Sequence, residues 1–222
     1  MAENSFKNVS TQPKPFFLLP VKTLFLLGGV FSAFFILIAG LVFFDYAHLM
    51  DNAIFNFARS TPFNSSPILT LILQNVARLG SSQFVLPLSL LVGVFLSLYR
   101  RNLALGVWFV LSVVIFEALL ESLKHLFLHS VQWLSHSANF PSAIALSLTL
   151  FYGLLILLIP HFIAHQIFQN ILSYSLLGLI LLIGLALIVL GVSFSSVLGG
   201  FCLGALGACF SIGIYLSVFQ KI

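Results

Sequence analysis

Nothing charged separates Lys22 from Asp45. A helix needs about 20 apolar residues to cross the hydrocarbon of a bilayer, and this stretch is long enough. Backbone N–H and C=O groups find no water there, so the segment must satisfy them within itself, as a helix. Five more stretches are apolar enough to be read as spans, at about 83–99, 103–124, 141–160, 169–190 and 196–218, with charges only toward the end of 103–124. The expected fold is therefore all-α, an integral membrane six-helix bundle. Composition agrees, since 60% of the 222 residues are hydrophobic and 6% are charged, which excludes a soluble domain.

Residues 1–20 read as a polar N-terminal tail, and 21–222 as one membrane domain without a fixed-period repeat. The run after Lys22 is too long for the core of a cleaved signal peptide, so it is expected to stay as an anchor. Lys7, Lys14 and Lys22 precede the first span, Arg100 and Arg101 separate the second from the third, and Lys221 follows the last. Six spans put all of them on one side, which the positive-inside rule makes cytoplasmic for both termini. The segments 45–82, 125–140 and 191–195 then face outward, toward the periplasm if the membrane is a bacterial inner membrane. A net charge of +4 spread over such loops reports orientation and implies no nucleic-acid partner. Cys202 and Cys209 both lie in an apolar run and imply no disulfide framework.

Segment 45–82 differs from the spans. Its charges and turn residues divide it into an amphipathic piece and a shorter half-buried one, expected to lie along the interface. Arg59 and Arg78 in this segment are expected to pair with Asp45 or Asp51, or to meet lipid headgroups. Trp133 suits an aromatic belt, whereas Trp108 falls inside a span.

Three outward segments carry a motif. "KHLFLHSVQ" begins at Lys124, "PSAI" at Pro141, and "SFSSVLGGFCLG" at Ser193. In order, spacing and span count they resemble the type 2 phosphatidic acid phosphatases, the lipid phosphate phosphatases, over roughly Asp51 to Gly207. That family reads Lys-x6-Arg-Pro, then Pro-Ser-Gly-His, then Ser-Arg-x5-His-x3-Asp. Here Lys124, Pro141, Ser142 and Ser193 match. Val131 and Gln132 stand at the Arg-Pro pair, Ala143 and Ile144 at Gly-His, Phe194 at the second Arg, and Gly200 and Gly204 at the final His and Asp.

The resemblance implies that the final His attacks phosphorus, the Asp orients it, the other His protonates the leaving alkoxide, and Lys with two Arg neutralises the phosphoryl oxygens. Glycine has no side chain to act as nucleophile or orienting acid. Phosphoryl transfer depends on positive charge around the equatorial oxygens. With Val131 and Phe194 in place of both Arg, no catalytic group of the family remains except Lys124. A phosphate among Val131, Ile144 and Phe194 would lose hydration without charge-assisted hydrogen bonds in return, at a cost of several kcal/mol. Gly200 and Gly204 instead form Gly-x3-Gly, which lets helices approach closely. This face is expected to pack within the bundle, or to support self-association or a partner membrane protein.

Glu117, Glu121, His125 and His129 recur every four residues, and a carboxylate with two His can hold a divalent metal. The simpler expectation pairs Glu121 with Lys124, leaves His125 and His129 solvated, and gives Glu117 an interior partner. The resemblance implies that the charged segment leaves the helix near Lys124. His136 precedes Pro141 and could donate a proton, but without a nucleophile there is nothing for it to assist. His161 and His165 read as surface residues of a cytoplasmic turn.

The expected function is that of a catalytically degenerate lipid phosphate phosphatase, a pseudo-phosphatase without cofactor, with a lipid-binding, scaffolding or regulatory role among membrane lipids. Two alternatives stand beside it. One is an active phosphatase for phosphatidate, polyprenyl pyrophosphate or lipid A with a rearranged site. The other is a metal-dependent membrane protein or transporter built on Glu117, Glu121, His125 and His129.

Overall fold

A computed structural model describes residues 20–60, 66–130, 140–163 and 165–219. In chain order the helices are α1 (Val21–Phe43), α2 (Ala47–Ser60), α3 (Pro67–Arg78), α4 (Ser82–Arg100), α5 (Leu103–Ser130), α6 (Ala143–Phe162), α7 (Gln166–Val189) and α8 (Phe194–Phe219). Six of them, α1 and α4 to α8, are long and apolar enough to span. The chain is an integral membrane protein. Helices α2 and α3 have 14 and 12 residues, short of a span, and form the accessory segment expected over 45–82.

Local chemistry explains the boundaries. Pro20 precedes α1 in extended conformation, and Pro67 opens α3, a position where its missing N–H would have had no partner anyway. Between α4 and α5 the chain reverses in two residues. Arg101 takes the left-handed conformation with φ 51°, and Asn102 Oδ1 accepts the Ala104 N–H at 3.0 Å, capping α5.

Bilayer lipid is as apolar as a leucine side chain, so spanning helices associate through close packing and interhelical hydrogen bonds. Helices α6 and α8 form the centre, with 61% of each spanning window buried against 11–33% for the other four. Around α6 the core includes Leu146, Leu148, Leu150, Phe151 and Leu154, all fully or almost fully buried. Helix α1 lies on α8, where Gly28 sits beneath the Phe210 ring and Phe25 meets that ring edge-on at 5.5 Å. Helices α4 and α5 cross where Gly93 faces Gly106; a methyl at Gly106 would lie 2.1 Å from the Gly93 carbonyl oxygen. Trp108 of α5 donates through Nε1 to the Ser211 carbonyl of α8 at 2.9 Å.

Two expectations need correction. Helix α5 continues past Lys124 to Ser130, because "HLFLHS" has neither proline nor glycine to break it. His161 is not a plain surface residue: it is half-buried in the last turn of α6, whereas His165 is exposed and meets Phe168 edge-on at 5.5 Å.

Phe151→Ala should lower unfolding stability in mixed micelles by about 3–5 kcal/mol, the usual cost of emptying a core aromatic site. Leu98→Ala, at a position 74% exposed toward lipid, should stay within about 0.5 kcal/mol in the same denaturation series.

Candidate functional site

Two of the three motif-bearing segments, those from Pro141 and Ser193, meet where α6 and α8 begin. Ser142 caps α6 by accepting the Ala145 N–H on Oγ at 3.4 Å, and its own N–H donates to the Ser196 carbonyl of α8 at 3.0 Å. Pro141 and Ser142 are buried, behind a cis Phe140–Pro141 bond. Phe140 stacks on Phe35 of α1 with centroids 6.0 Å apart, and its ring lies over Gly199. The two matching serines, Ser142 and Ser193, therefore stand at the entrances of adjacent helices.

Immediately below, α6 and α8 touch through backbone. A methyl at Gly200 would lie 2.6 Å from the Ser142 carbonyl oxygen and 2.7 Å from Ala145 Cβ. One turn on, a methyl at Gly204 would lie 2.7 Å from the Leu146 carbonyl oxygen and 2.8 Å from Thr149 Cβ. The positions that would have to carry a nucleophilic imidazole and its orienting carboxylate thus have no room for a Cβ. Both glycines are covered by α6 of the same chain.

The rest of the would-be pocket is filled with hydrocarbon. Ile144 packs in a cluster with Ala77, Ala145, Leu187 and Val197, and its Cγ2 would be 2.9 Å from a methyl at Gly80. Ala143 and Phe194 are half-buried.

The start of α8 nevertheless holds an anionic group. Asp51 of α2 reaches across so that Oδ1 accepts the Ser195 N–H at 2.8 Å and Oδ2 accepts the Ser195 hydroxyl at 2.6 Å. Helix N-termini favour negative charge because their first N–H groups have no partner in the helix and the peptide dipoles align. Helix α8 has no acidic residue in its own first turn, and Asp51 supplies one from elsewhere. The expected pairing of Asp51 with an arginine is thereby corrected: Arg59 lies over the Phe55 ring at 4.4 Å, and the helix end offers Asp51 a better-oriented partner.

Lys124, the matching cation, pairs with Glu121 at 3.2 Å, a half-exposed lysine beside a largely exposed carboxylate. Such a pair contributes about 0–1 kcal/mol. Glu117, one turn deeper, has interior partners: Ser82 Oγ of α4 donates to its Oε2 at 3.0 Å, and Ser147 Oγ of α6 bonds to its Oε1. Ser147 also bonds back to the Ala143 carbonyl at 2.8 Å. His125 is exposed. Among the described residues no three His, Cys, Asp or Glu side chains group to hold a metal. The side chain of His129, and all of Val131, Gln132, Trp133 and His136, lie outside what is described.

Sequence reasoning missed the contact of Asp51 with Ser195 and the roles of Ser82 and Ser147. A glutamate within a span demands a partner, but serines are too common in spans for any to be singled out. Asp51 and Ser195 are 144 residues apart, and only the acid-free first turn of α8 hinted that a distant carboxylate was wanted.

Gly200→His with Gly204→Asp should lower the thermal midpoint in detergent by the equivalent of about 1–3 kcal/mol or more, the cost of overpacking, and should release no phosphate from lipid phosphates. Asp51→Ala should cost about 1–3 kcal/mol, and faster amide exchange should be confined to α2 and the first turn of α8.

Neither a protein-family model nor a curated protein matches the sequence. Among solved structures, the chain is similar to the first transmembrane PAP2 type phosphatidylglycerolphosphate phosphatase from Bacillus subtilis. The two share 22% identity with a TM-score of 0.73, over 88% of this chain and 98% of that one. The chain thus has the fold of a PAP2-type transmembrane lipid phosphatase.

Proposed function

We propose that the protein is a pseudo-phosphatase: it keeps the membrane architecture of a lipid phosphatase but neither hydrolyses lipid phosphates nor binds them between α6 and α8, and it acts by binding lipid, scaffolding or regulation. The observation that carries this reading is the backbone contact at Gly200 and Gly204, which removes the side chains needed and also the space for them. A phosphoryl group in line for attack requires a nucleophile about 3 Å away and a cradle of cations. Here that volume is α6 backbone, Ala145 and Thr149. Asp51 at the α8 start adds like-charge repulsion toward an incoming phosphate, and the pairing of Lys124 with Glu121 weakens the one retained cation. The same reading places the protein in a bacterial inner membrane, with both termini cytoplasmic and the closed site facing the periplasm.

Purified protein in nanodiscs is expected to release no phosphate above a protein-free control from phosphatidate, phosphatidylglycerolphosphate or a polyprenyl pyrophosphate, with or without divalent metal. Vanadate-sensitive turnover that disappears in Lys124→Ala would overturn the reading.

A further inference from the structure

At the end of the bundle away from the α6 and α8 starts, a cavity of about 290 Å³ opens between α5, α6 and α8. It is lined by Asn102 and Leu105, by Leu158, His161 and Phe162, and by Tyr215 and Leu216. An amide, an imidazole and a phenol thus share a small chamber with four hydrocarbon walls. Asn102 already commits Oδ1 to the Ala104 N–H, so the group it can offer a ligand is its donating amide nitrogen.

Charge at this end is one-sided. Lys22 and Arg101 are exposed here, Arg100 ends α4, and His165 is exposed just before α7. The acidic residues among those described, Asp45, Asp51, Glu117 and Glu121, all belong to the other half of the bundle. An aromatic row leads from the cavity wall toward lipid. Phe162 lies 5.8 Å from Tyr99, which stacks on Phe95 at 5.9 Å, and both Tyr99 and Phe95 are largely exposed on the lipid-facing side of α4. A polar chamber with donors, in a basic setting and joined to an exposed aromatic track, is complementary to a molecule with an anionic head and an apolar tail.

We infer that this cavity binds the headgroup of an anionic glycerophospholipid, with the phosphodiester near Asn102 and His161 and an acyl chain along Phe162, Tyr99 and Phe95. The site is independent of the closed region between α6 and α8 and does not rest on the loss of catalysis there.

Trp108 reports on it. Its indole is bonded to the Ser211 carbonyl, one turn from Leu105 on α5 and one turn from Tyr215 on α8. In a Trp133→Phe background, Trp108 fluorescence is measured in nanodiscs containing phosphatidylglycerol or phosphatidylcholine spin-labelled near the glycerol. Association with phosphatidylglycerol is expected to be about fivefold stronger, the worth of one cation at a membrane surface. Asn102→Asp, which keeps the α5 cap but puts a carboxylate in the chamber, and His161→Leu should each abolish most of that preference. Gln166→Glu makes the same charge change at the same end without lining the cavity, and should leave the preference intact. Equal quenching by both lipids would overturn the inference. So would a preference that survives Asn102→Asp and His161→Leu, or one that Gln166→Glu reduces as much as Asn102→Asp does. Competition by inorganic phosphate would also overturn it, assigning the chamber to a soluble anion.

Discussion

The architecture depends on how near two backbones can come inside a membrane. Hydrophobic driving force between helices is absent there, so dispersion across close contacts and a few interhelical hydrogen bonds must hold the bundle. Gly200 and Gly204 let α8 press against Ser142, Ala145, Leu146 and Thr149 of α6, and the other spans surround this pair. The close approach that supports the fold also leaves no room for a Cβ at either glycine.

Polar groups in the spans follow the same economy of space. Thr149 returns its hydroxyl to the Ala145 carbonyl one turn earlier at 2.8 Å, and Ser147 shares its single proton between the Ala143 carbonyl and Glu117, so neither side chain of the buried α6 is orphaned. Glu117 ties α4, α5 and α6 together through Ser82 and Ser147. Charges nearer the water behave differently: Lys124 and Glu121 pair where solvent screens them and contribute little to stability.

Much of the fold was legible because the bilayer imposes a length and a polarity on any crossing helix. The limits read from apolar runs lie within a few residues of α1, α4, α6, α7 and α8. The far end of α5 was misjudged, since polar residues mark the edge of the membrane, not the end of a helix, and His125 continues the helix outside the apolar run. At the site, the residue types at 143, 144, 194, 200 and 204 were legible directly as apolar or side-chain-free positions. That α6 is the helix lying against Gly200 and Gly204 was not legible, because a Gly-x3-Gly pattern does not say which helix it will meet. Nor was the seat of Asp51, which depends on two helices lying side by side although distant in sequence.

That seat ties an accessory element to the heart of the bundle. Helix α2 is mostly solvent- or lipid-exposed and has only Ala47 and Ala58 buried, so it has little apolar packing of its own to hold it. Two short hydrogen bonds accepted by one carboxylate fasten it to the start of α8. Any tilt of α8 is thereby handed on to α2, and a pull on α2 reaches the start of α8 through the Asp51 carboxylate as well as through packing.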